Sequence, residues 1–213
     1  HHTFRFDTYY NPRRMNFGAL RVLNDDRVEA GKGFGIHPHK NMEIISIPLK
    51  GKLKHGDSNK NSRTITIGDI QTMSAGTGIY HSEMNGSDTE PVEFLQIWVM
   101  PEKLNPPPAY QDYDIRPFLR KNELALIVSP DGDAPAKMLQ QTWFSIGEIE
   151  AGKKIGYHMH QSHAGVYIFV IEGEVKVDDT VLSRRDGMGV YDTHSLELET
   201  LKDSHILLLE VQM

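Results

Sequence analysis

Short segments in which apolar and polar residues alternate recur along the whole chain. Such alternation places successive side chains on opposite faces of an extended strand. The segments that show it most clearly are Glu43 to Pro48, Arg63 to Ile67, Val92 to Met100, Val166 to Glu172 and His205 to Val211. Glycine-containing turns separate them, and convincing amphipathic helices are scarce. The pattern therefore predicts an all-β protein, built as a sandwich or a barrel.

One motif occurs once in each half of the chain. It consists of a glycine, five further residues, and two histidines separated by one residue. Its two copies are Gly31 with His37 and His39, and Gly152 with His158 and His160. Each copy leads into an apolar segment and then a glycine turn. Internal repetition of this kind predicts two similar β domains.

A proline-rich segment separates the two halves. Residues 106–119 follow neither the helical nor the strand period, and Pro106 to Pro108 would stiffen them, so we expect a linker there. The predicted organisation is a first domain at residues 1–105 and a second at residues 120–213. A chain of 213 residues is long enough for two domains of this size.

Two pairs of residues in the first half could bind a metal ion. They are His37 with His39 and His81 with Glu83, and one residue separates the members of each pair. Residues two apart on a strand point the same way, so neighbouring strands could aim four donors at one point. Four protein ligands leave an octahedral ion two free positions for water, dioxygen or a chelating substrate, which favours Fe(II). Zinc in a closed site is the alternative, and manganese, nickel and copper stay open.

Other polar residues in these segments have less certain roles. Glu43 has three interpretations: an acid that orients a ligand ring, a catalytic base, or a surface carboxylate. We expect His55, which precedes a glycine, to be exposed. In the second half, His158, His160 and His163 lack a following His-x-Glu pair. The default there is a β domain with exposed histidines, and a second metal site is the alternative.

Charge and composition exclude several classes of partner. The net charge is −6 with acidic and basic residues interspersed, which disfavours direct nucleic-acid binding. No apolar run approaches 18 residues, so we expect no transmembrane helix and no membrane partner. The chain contains no cysteine, which excludes disulfides and thiolate ligands and fits a reducing compartment. No signal-peptide pattern is evident, and a cytoplasmic protein is expected.

The motifs resemble those of a known family. Gly-x5-His-x-His followed by a second histidine-bearing strand is the cupin pattern, and the chain is more specifically similar to the pirins. The matching segments are His2 to Phe6, Asn16 to Asp26, His37 to Glu43, Gly68 to Gln71, Ala75 to Glu83 and Leu95 to Val99. They occur in the family's order and cover most of residues 2–100. Residues 120–213 fit the family's less distinctive C-terminal cupin.

The resemblance implies two cupin barrels packed face to face, with Fe(II) in the first barrel at His37, His39, His81 and Glu83. Pirins include bacterial proteins with quercetin 2,3-dioxygenase activity and a eukaryotic nuclear protein that modulates transcription factors. The favoured function is therefore oxidative cleavage of a flavonol or similar enolic small molecule by dioxygen, with Glu83 or Glu43 accepting the substrate's proton. The alternatives are an iron-dependent regulator that binds a partner protein and a different cupin reaction on a small enol.

Overall fold

A computed structural model describes residues 2–4 and 15–213. Residue 1 and residues 5–14, which include parts of the predicted first domain and of the segment His2 to Phe6, lie outside the described residues. The described chain forms nineteen β-strands and one 3-10 turn at Arg116–Phe118. The predicted all-β class is confirmed, and each of the five alternating segments forms a strand. No helix in the described part of the chain has the length and apolarity needed to span a membrane.

The strands belong to two compact units, and neither unit is continuous in sequence. The first comprises the described residues up to Asn16, Leu20–Arg116 and Ala136–Gln140, and the second comprises Phe17–Ala19, Pro117–Pro135 and Gln141–Met213. Within the segment predicted as a linker, residues 109–114 form a strand of the first unit. Tyr110 and Tyr113 of this strand are half-buried, and the strand pairs with β6, which the proline content of the segment could not indicate. The domain boundaries at 105 and 120 stay a prediction.

The first unit contains two antiparallel sheets. Its strands are β1 (Leu20–Val28), β2 (Gly33–His39), β3 (Glu43–Lys50), β4 (Lys52–Asp57), β5 (Ser62–Thr66), β6 (Asp69–Ser74), β7 (Ile79–Asn85), β8 (Val92–Val99) and β9 (Ala109–Asp114). The larger sheet has the order β1-β8-β3-β6-β9, and the smaller has the order β2-β7-β4-β5. The two-residue strand at Ala136–Lys137, numbered β11 in chain order, also belongs to this unit.

The second unit is also built from two antiparallel sheets. Its strands are β10 (Ala125–Ser129), β12 (Thr142–Ile149), β13 (Lys154–His158), β14 (Ala164–Glu172), β15 (Glu174–Val177), β16 (Thr180–Ser183), β17 (Gly187–Tyr191), β18 (Ser195–Thr200) and β19 (Ser204–Gln212). One sheet contains the order β10-β12-β19-β14-β17, and the other has the order β13-β18-β15-β16.

Eight strands of the first unit recur in the same order in the second. The orders β1-β8-β3-β6 and β2-β7-β4-β5 become β12-β19-β14-β17 and β13-β18-β15-β16. The turns after β3 and β14 both contain a glycine with positive φ, Gly51 at 74° and Gly173 at 94°. A side chain at either glycine would strike a backbone carbonyl oxygen, of Pro91 or of Asp203. The predicted repetition of one β domain is therefore confirmed in the topology.

The hydrophobic core of each unit lies between its two sheets. In the first unit, Leu53 and Ile65 of the smaller sheet pack with Val92 and Phe94 of the larger sheet. In the second unit, eleven buried residues from both sheets form one cluster. Burial of apolar area at about 25 cal/mol per Å² is the main stabilising contribution in such a sandwich. The interior of the first unit also contains polar side chains, and these form the candidate site.

Candidate metal centre

Strand β7 alternates between the interior and the exterior of the first unit. His81 and Glu83 are buried, as are Ile79 and Asn85, whereas Tyr80 is exposed. The spacing of two residues therefore places both candidate ligands of this strand inside, as the sequence predicts.

Strand β2 pairs with β7 through a β-bulge. His37 faces His81, and just before it Gly35 and Ile36 together stand opposite Ser82 alone. A bulge accommodates one extra residue and redirects the side chains that follow it. The imidazole of His37 consequently lies on the same side as that of His81, together with the next histidine of β2.

The three imidazoles converge. The ring centroids of His37 and His39 are 4.8 Å apart, those of His37 and His81 4.5 Å, and those of His39 and His81 4.8 Å. One ring nitrogen from each lies within 4.8 Å of the others. The Nδ1–H of His37 donates to the carbonyl oxygen of Gly35 at 2.7 Å, which leaves its Nε2 as an acceptor. His39 Nε2 and both ring nitrogens of His81 are buried with no hydrogen-bond partner in the protein.

Two of these histidines, His39 and His81, are held in the neutral form that binds a metal. Burial lowers the pKa of His39 to about 4, with a smaller contribution from the charge of His37. Burial also lowers the pKa of His81 to about 3, with help from the neighbouring imidazoles. At neutral pH both rings therefore offer lone pairs. A divalent cation would satisfy the unpartnered nitrogens, so the donor set fits such an ion.

Glu83 lies deep beside this group and is 3% exposed. Its carboxylate accepts hydrogen bonds from Ser46 Oγ at 2.9 Å, Gln71 Nε2 at 2.8 Å and Gln96 Nε2 at 2.7 Å. Burial raises the pKa of Glu83, and the hydrogen bonds from Ser46 and Gln96 oppose that rise. A carboxylate oxygen of Glu83 lies within 4.8 Å of ring nitrogens of His55 and His81. That Glu83 completes the metal site stays a prediction.

The expectation that His55 is exposed is wrong. His55 is 1% exposed, because β4 directs it inward together with Leu53. Its Nε2–H donates to Asp57 Oδ2 at 3.1 Å, and its ring stacks on Tyr110 with centroids 4.3 Å apart. Burial lowers the pKa of His55, against the effect of Asp57. A carboxylate that orients a buried imidazole in this way is typical of the surroundings of metal sites.

Glu43 is buried rather than on the surface, at 2% exposure. Its Oε1 accepts a hydrogen bond from Ser74 Oγ at 2.9 Å, and its Oε2 accepts one from the backbone N–H of Leu139 at 2.9 Å. Glu43 thus fixes the segment Ala136–Gln140 to β3. Its predicted roles as a base or as support for a ligand ring stay predictions.

The histidines of the second unit have other surroundings. His158 and His163 are exposed. The Nδ1–H of His160 donates to Glu210 Oε2 at 2.7 Å, and its ring stacks on Trp143 with centroids 4.9 Å apart. The metal-ligating groups found among the described residues all lie in the first unit.

Sequence reasoning missed the residues that surround the ligands. Ser46, Gln71 and Gln96 are buried polar side chains within largely apolar strands, and Trp98 contacts His39 edge-on at 4.9 Å between ring centroids. A polar residue inside an otherwise apolar strand was the signal that could have identified them, because a buried polar group requires a partner.

Two family models match the chain. The model described as pirin matches residues 1–99, and the model described as the quercetinase C-terminal cupin domain matches residues 126–211. The two units are therefore cupin domains, as the resemblance implies.

Full-length relatives agree with this assignment. A quercetin 2,3-dioxygenase of Escherichia coli K12 is 39% identical over 215 residues, which cover 99% of this chain and 90% of the relative. A pirin-like protein of Caulobacter vibrioides is 34% identical and covers 98% of this chain and 90% of its own length. The crystal structure of the bacterial pirin YhhW from Escherichia coli in complex with nickel(II) has a TM-score of 0.93 at 36% identity, with 99% of this chain and 90% of that chain covered.

Proposed function

The chain belongs to the pirin family, and from that premise we propose that its first unit is a metal-dependent dioxygenase. The proposed substrates are dioxygen and a flavonol such as quercetin, or a similar enolic small molecule. The proposed metal is Fe(II), with His37, His39, His81 and Glu83 as its ligands. The observation that carries the proposal is the convergence of three imidazoles, two of which, His39 and His81, have buried ring nitrogens with no partner in the protein.

The relatives support this proposal at a coarser level. The relative from Escherichia coli K12 is named a quercetin 2,3-dioxygenase, and the pirin YhhW was crystallised with nickel(II). A divalent metal and a small-molecule substrate are consistent with both. Iron and the flavonol are the finer part of our proposal.

A bound divalent metal would supply Lewis-acid polarisation of a hydroxyl and a carbonyl oxygen on the substrate, which favours the deprotonated enol. The residues of the chain prepare the site for this chemistry. Gly35 fixes the tautomer of His37, and burial keeps His39 and His81 free of protons at neutral pH. We propose that Glu83 or Glu43 accepts the proton that the substrate loses.

An apolar wall beside the histidines suits an aromatic substrate. Trp98 contacts His39 and is part of a cluster that also contains Met42, Ile44, Met73, Ala75, Ile79 and Tyr110. Small-molecule sites are usually lined in this way, with a few polar groups to set orientation. Ile44, Met73, Ala75 and Ile79 are buried, so the partly buried Trp98 and Met42 are the members of this cluster that would contact a substrate beside His39.

The proposal is tested with the intact chain loaded with Fe(II) under anaerobic conditions and then mixed with quercetin and oxygen. We expect loss of quercetin absorbance together with oxygen uptake. The His81→Ala variant should lose both signals, whereas His163→Ala, which alters an exposed histidine of the second unit, should retain them. An iron-loaded protein that consumes neither substrate, or a His81→Ala variant as active as the wild type, would overturn the proposal.

The identity of the metal has its own test. Elemental analysis of protein expressed without added metal should find about one iron per chain, because one group of three imidazoles is proposed to hold it. Zinc alone would argue against oxygen chemistry at this site. A cytoplasmic location remains a prediction, supported by the absence of cysteine.

A further inference from the structure

Two buried glutamines hold the carboxylate of Glu83 from two sides. Gln71 Nε2 donates to Oε1 at 2.8 Å, Gln96 Nε2 donates to Oε2 at 2.7 Å, and Ser46 Oγ donates to Oε1 at 2.9 Å. Ser46 on β3 faces Gln71 on β6 and Gln96 on β8. The three residues therefore form one row across three adjacent strands, which we call the polar row.

Every polar atom of this row has a partner. Each glutamine also donates its second amide hydrogen to Ser46 Oγ, at 3.1 Å from Gln71 and 3.2 Å from Gln96. Trp98 Nε1–H donates to Gln96 Oε1 at 3.1 Å, and the Tyr110 hydroxyl donates to Gln71 Oε1 at 3.3 Å. An indole N–H can only donate, so the oxygen of the Gln96 amide must face it. The NH2 group of Gln96 consequently faces Glu83, and that of Gln71 does so because an ionised carboxylate only accepts hydrogen bonds.

The hydrogen bonds limit how Glu83 can bind a cation. An ionised carboxylate offers about four lone-pair directions, two on each oxygen. Ser46 and Gln71 use both directions on Oε1, and Gln96 uses one on Oε2. One direction on Oε2 is left for a further partner.

We propose that Gln71 and Gln96 are positioning residues that fix Glu83 as a metal ligand through Oε2 alone. The inference rests on the proposed function only for the presence of a divalent metal in the first unit. All three hydrogen bonds to the carboxylate would break if Glu83 swung away. The polar row therefore keeps Glu83 in place.

The second unit provides an internal comparison. Ile168 stands five residues before the turn glycine Gly173, as Ser46 does before Gly51, and it faces Met188 and Leu208. These three residues pack into the apolar core of that unit. The polar row is thus not needed to build the fold. It occurs in the unit that contains the imidazole group, where a carboxylate has to be held.

The test measures binding of Co(II), a spectroscopic substitute for the metal, to the full chain without any substrate. Gln71→Met and Gln96→Met keep the side-chain length and remove the amide. We expect each to raise the Kd for Co(II) about 10–100-fold in competition with a chelator. We also expect a changed visible spectrum, because loss of either amide changes how the carboxylate is held, and Gln71→Met in addition frees a lone-pair direction on Oε1. Gln140→Met, which removes another buried amide whose partner is the Met100 carbonyl, should change neither.

Two milder variants keep the inference testable if a glutamine variant fails to fold. Tyr110→Phe retains the ring and removes only the hydroxyl donor, and Trp98→Phe removes the indole N–H donor while keeping a smaller aromatic ring. Each should raise the Kd for Co(II) about fivefold, the effect of one ordinary hydrogen bond, with a spectral change in the same direction as the glutamine variants.

Several results would overturn the inference. The first is that the glutamine and aromatic variants all keep the Kd and the spectrum of the wild type. The second is that Glu83→Gln leaves the Kd unchanged. The third is that the wild type binds no Co(II). Failure of the proposed function looks different. An iron-loaded wild type that leaves quercetin and oxygen untouched, while the glutamine variants weaken Co(II) binding, would reject the dioxygenase and retain the positioning role.

Discussion

The two units share the order of eight strands and differ at the strand that carries the Gly-x5-His-x-His motif. In the first unit, the bulge in β2 absorbs an extra residue before His37, which then faces His81. In the second unit, β13 pairs with β18 without a bulge. Tyr157 faces Leu196, and His158 faces Ser195. By strand register, Tyr157 rather than His158 is therefore the counterpart of His37.

This difference explains why one sequence motif produces two outcomes. The motif Gly-x5-His-x-His counts residues, whereas a sheet sorts side chains by face, and a shift of one residue moves a side chain to the opposite face. The interior positions that correspond to the four predicted ligands hold Tyr157, Met159, Leu196 and Leu198. The motif is repeated in the sequence, but its second copy places the side chain of His158 on the exterior of the second unit.

Glu83 of the first unit and Glu210 of the second also differ in whether their carboxylates can bind a cation. Glu210 accepts four hydrogen bonds, from Tyr157 OH, His160 Nδ1 and the backbone N–H groups of His160 and Gln161. All four lone-pair directions of its carboxylate are therefore used. Glu83 accepts three and keeps one, so of these two carboxylates Glu83 is the one available to a cation.

The largest effect on metal binding should come from removing the imidazole of His81, whose counterpart in the second unit is Leu196. His81→Ala deletes an expected ligand and should weaken Co(II) binding by more than about 100-fold, beyond the loss caused by a residue that only supports a ligand. Leu196→Ala, at the corresponding position of the second unit, should leave the Kd unchanged. Chelator competition measures both. Equal affinities in the two variants would contradict the comparison.

Transferring the ligands should create a second site at the positions defined by register. The triple variant Tyr157→His, Met159→His and Leu196→His should bind two Co(II) per chain in equilibrium dialysis, because three imidazoles would share one interior face. Leu196→His alone, which leaves His158 and His160 as they are, should still bind one. A second ion in the single variant would show that the motif, not the register, gives the correct alignment.

Stability should distinguish the second glutamate from a surface carboxylate. Glu210→Gln replaces an acceptor oxygen by a donor among four donors, and we expect it to lower the free energy of unfolding by about 3 kcal/mol. Glu197→Gln removes an exposed ion pair with Lys154 and should leave the free energy of unfolding nearly unchanged. Urea unfolding of the metal-free protein measures both. A Glu210→Gln variant as stable as Glu197→Gln would show that the four bonds contribute little.

The smallest effect concerns pH. The pKa of His81 is lowered to about 3 in the folded protein, so between pH 6.5 and about 3 the unfolded chain binds more protons there. The metal-free protein should therefore lose stability as the pH falls, by at most about 1.4 kcal/mol per unit from this residue. Burial raises the pKa of Glu83, which acts in the opposite direction.

Because several groups titrate over the same pH range, the prediction is tested by comparing the pH dependence of stability between variants. Unfolding free energies at pH 7, 6 and 5 should fall less steeply for His81→Gln than for the wild type. His163→Gln, which changes an exposed residue of the second unit, should keep the wild-type slope. Parallel slopes for all three proteins would mean that His81 titrates normally in the folded state.

The sequence predicted the features that depend on local periodicity. Alternation predicted the strands, and the i,i+2 spacing predicted that His81 and Glu83 share the interior face of β7. The bulge in β2 could not be predicted, because Gly35 and Ile36 become one extra residue only when β7 lies alongside. The burial of His55 was missed for a similar reason. Gly56 suggested a turn, yet β4 pairs on both sides and extends through it.

The hydrogen bond between Glu43 and Leu139 has a consequence for how the chain folds as it is synthesised. Domains usually fold in order as the N-terminal part emerges from the ribosome. A nascent chain that ends within residues 106–119 already carries the three converging histidines, but the buried carboxylate of Glu43 still lacks its donor from Leu139. By the time that donor is made, β10 of the second unit has been made as well. The last step in assembling the first unit therefore overlaps in time with the beginning of the second.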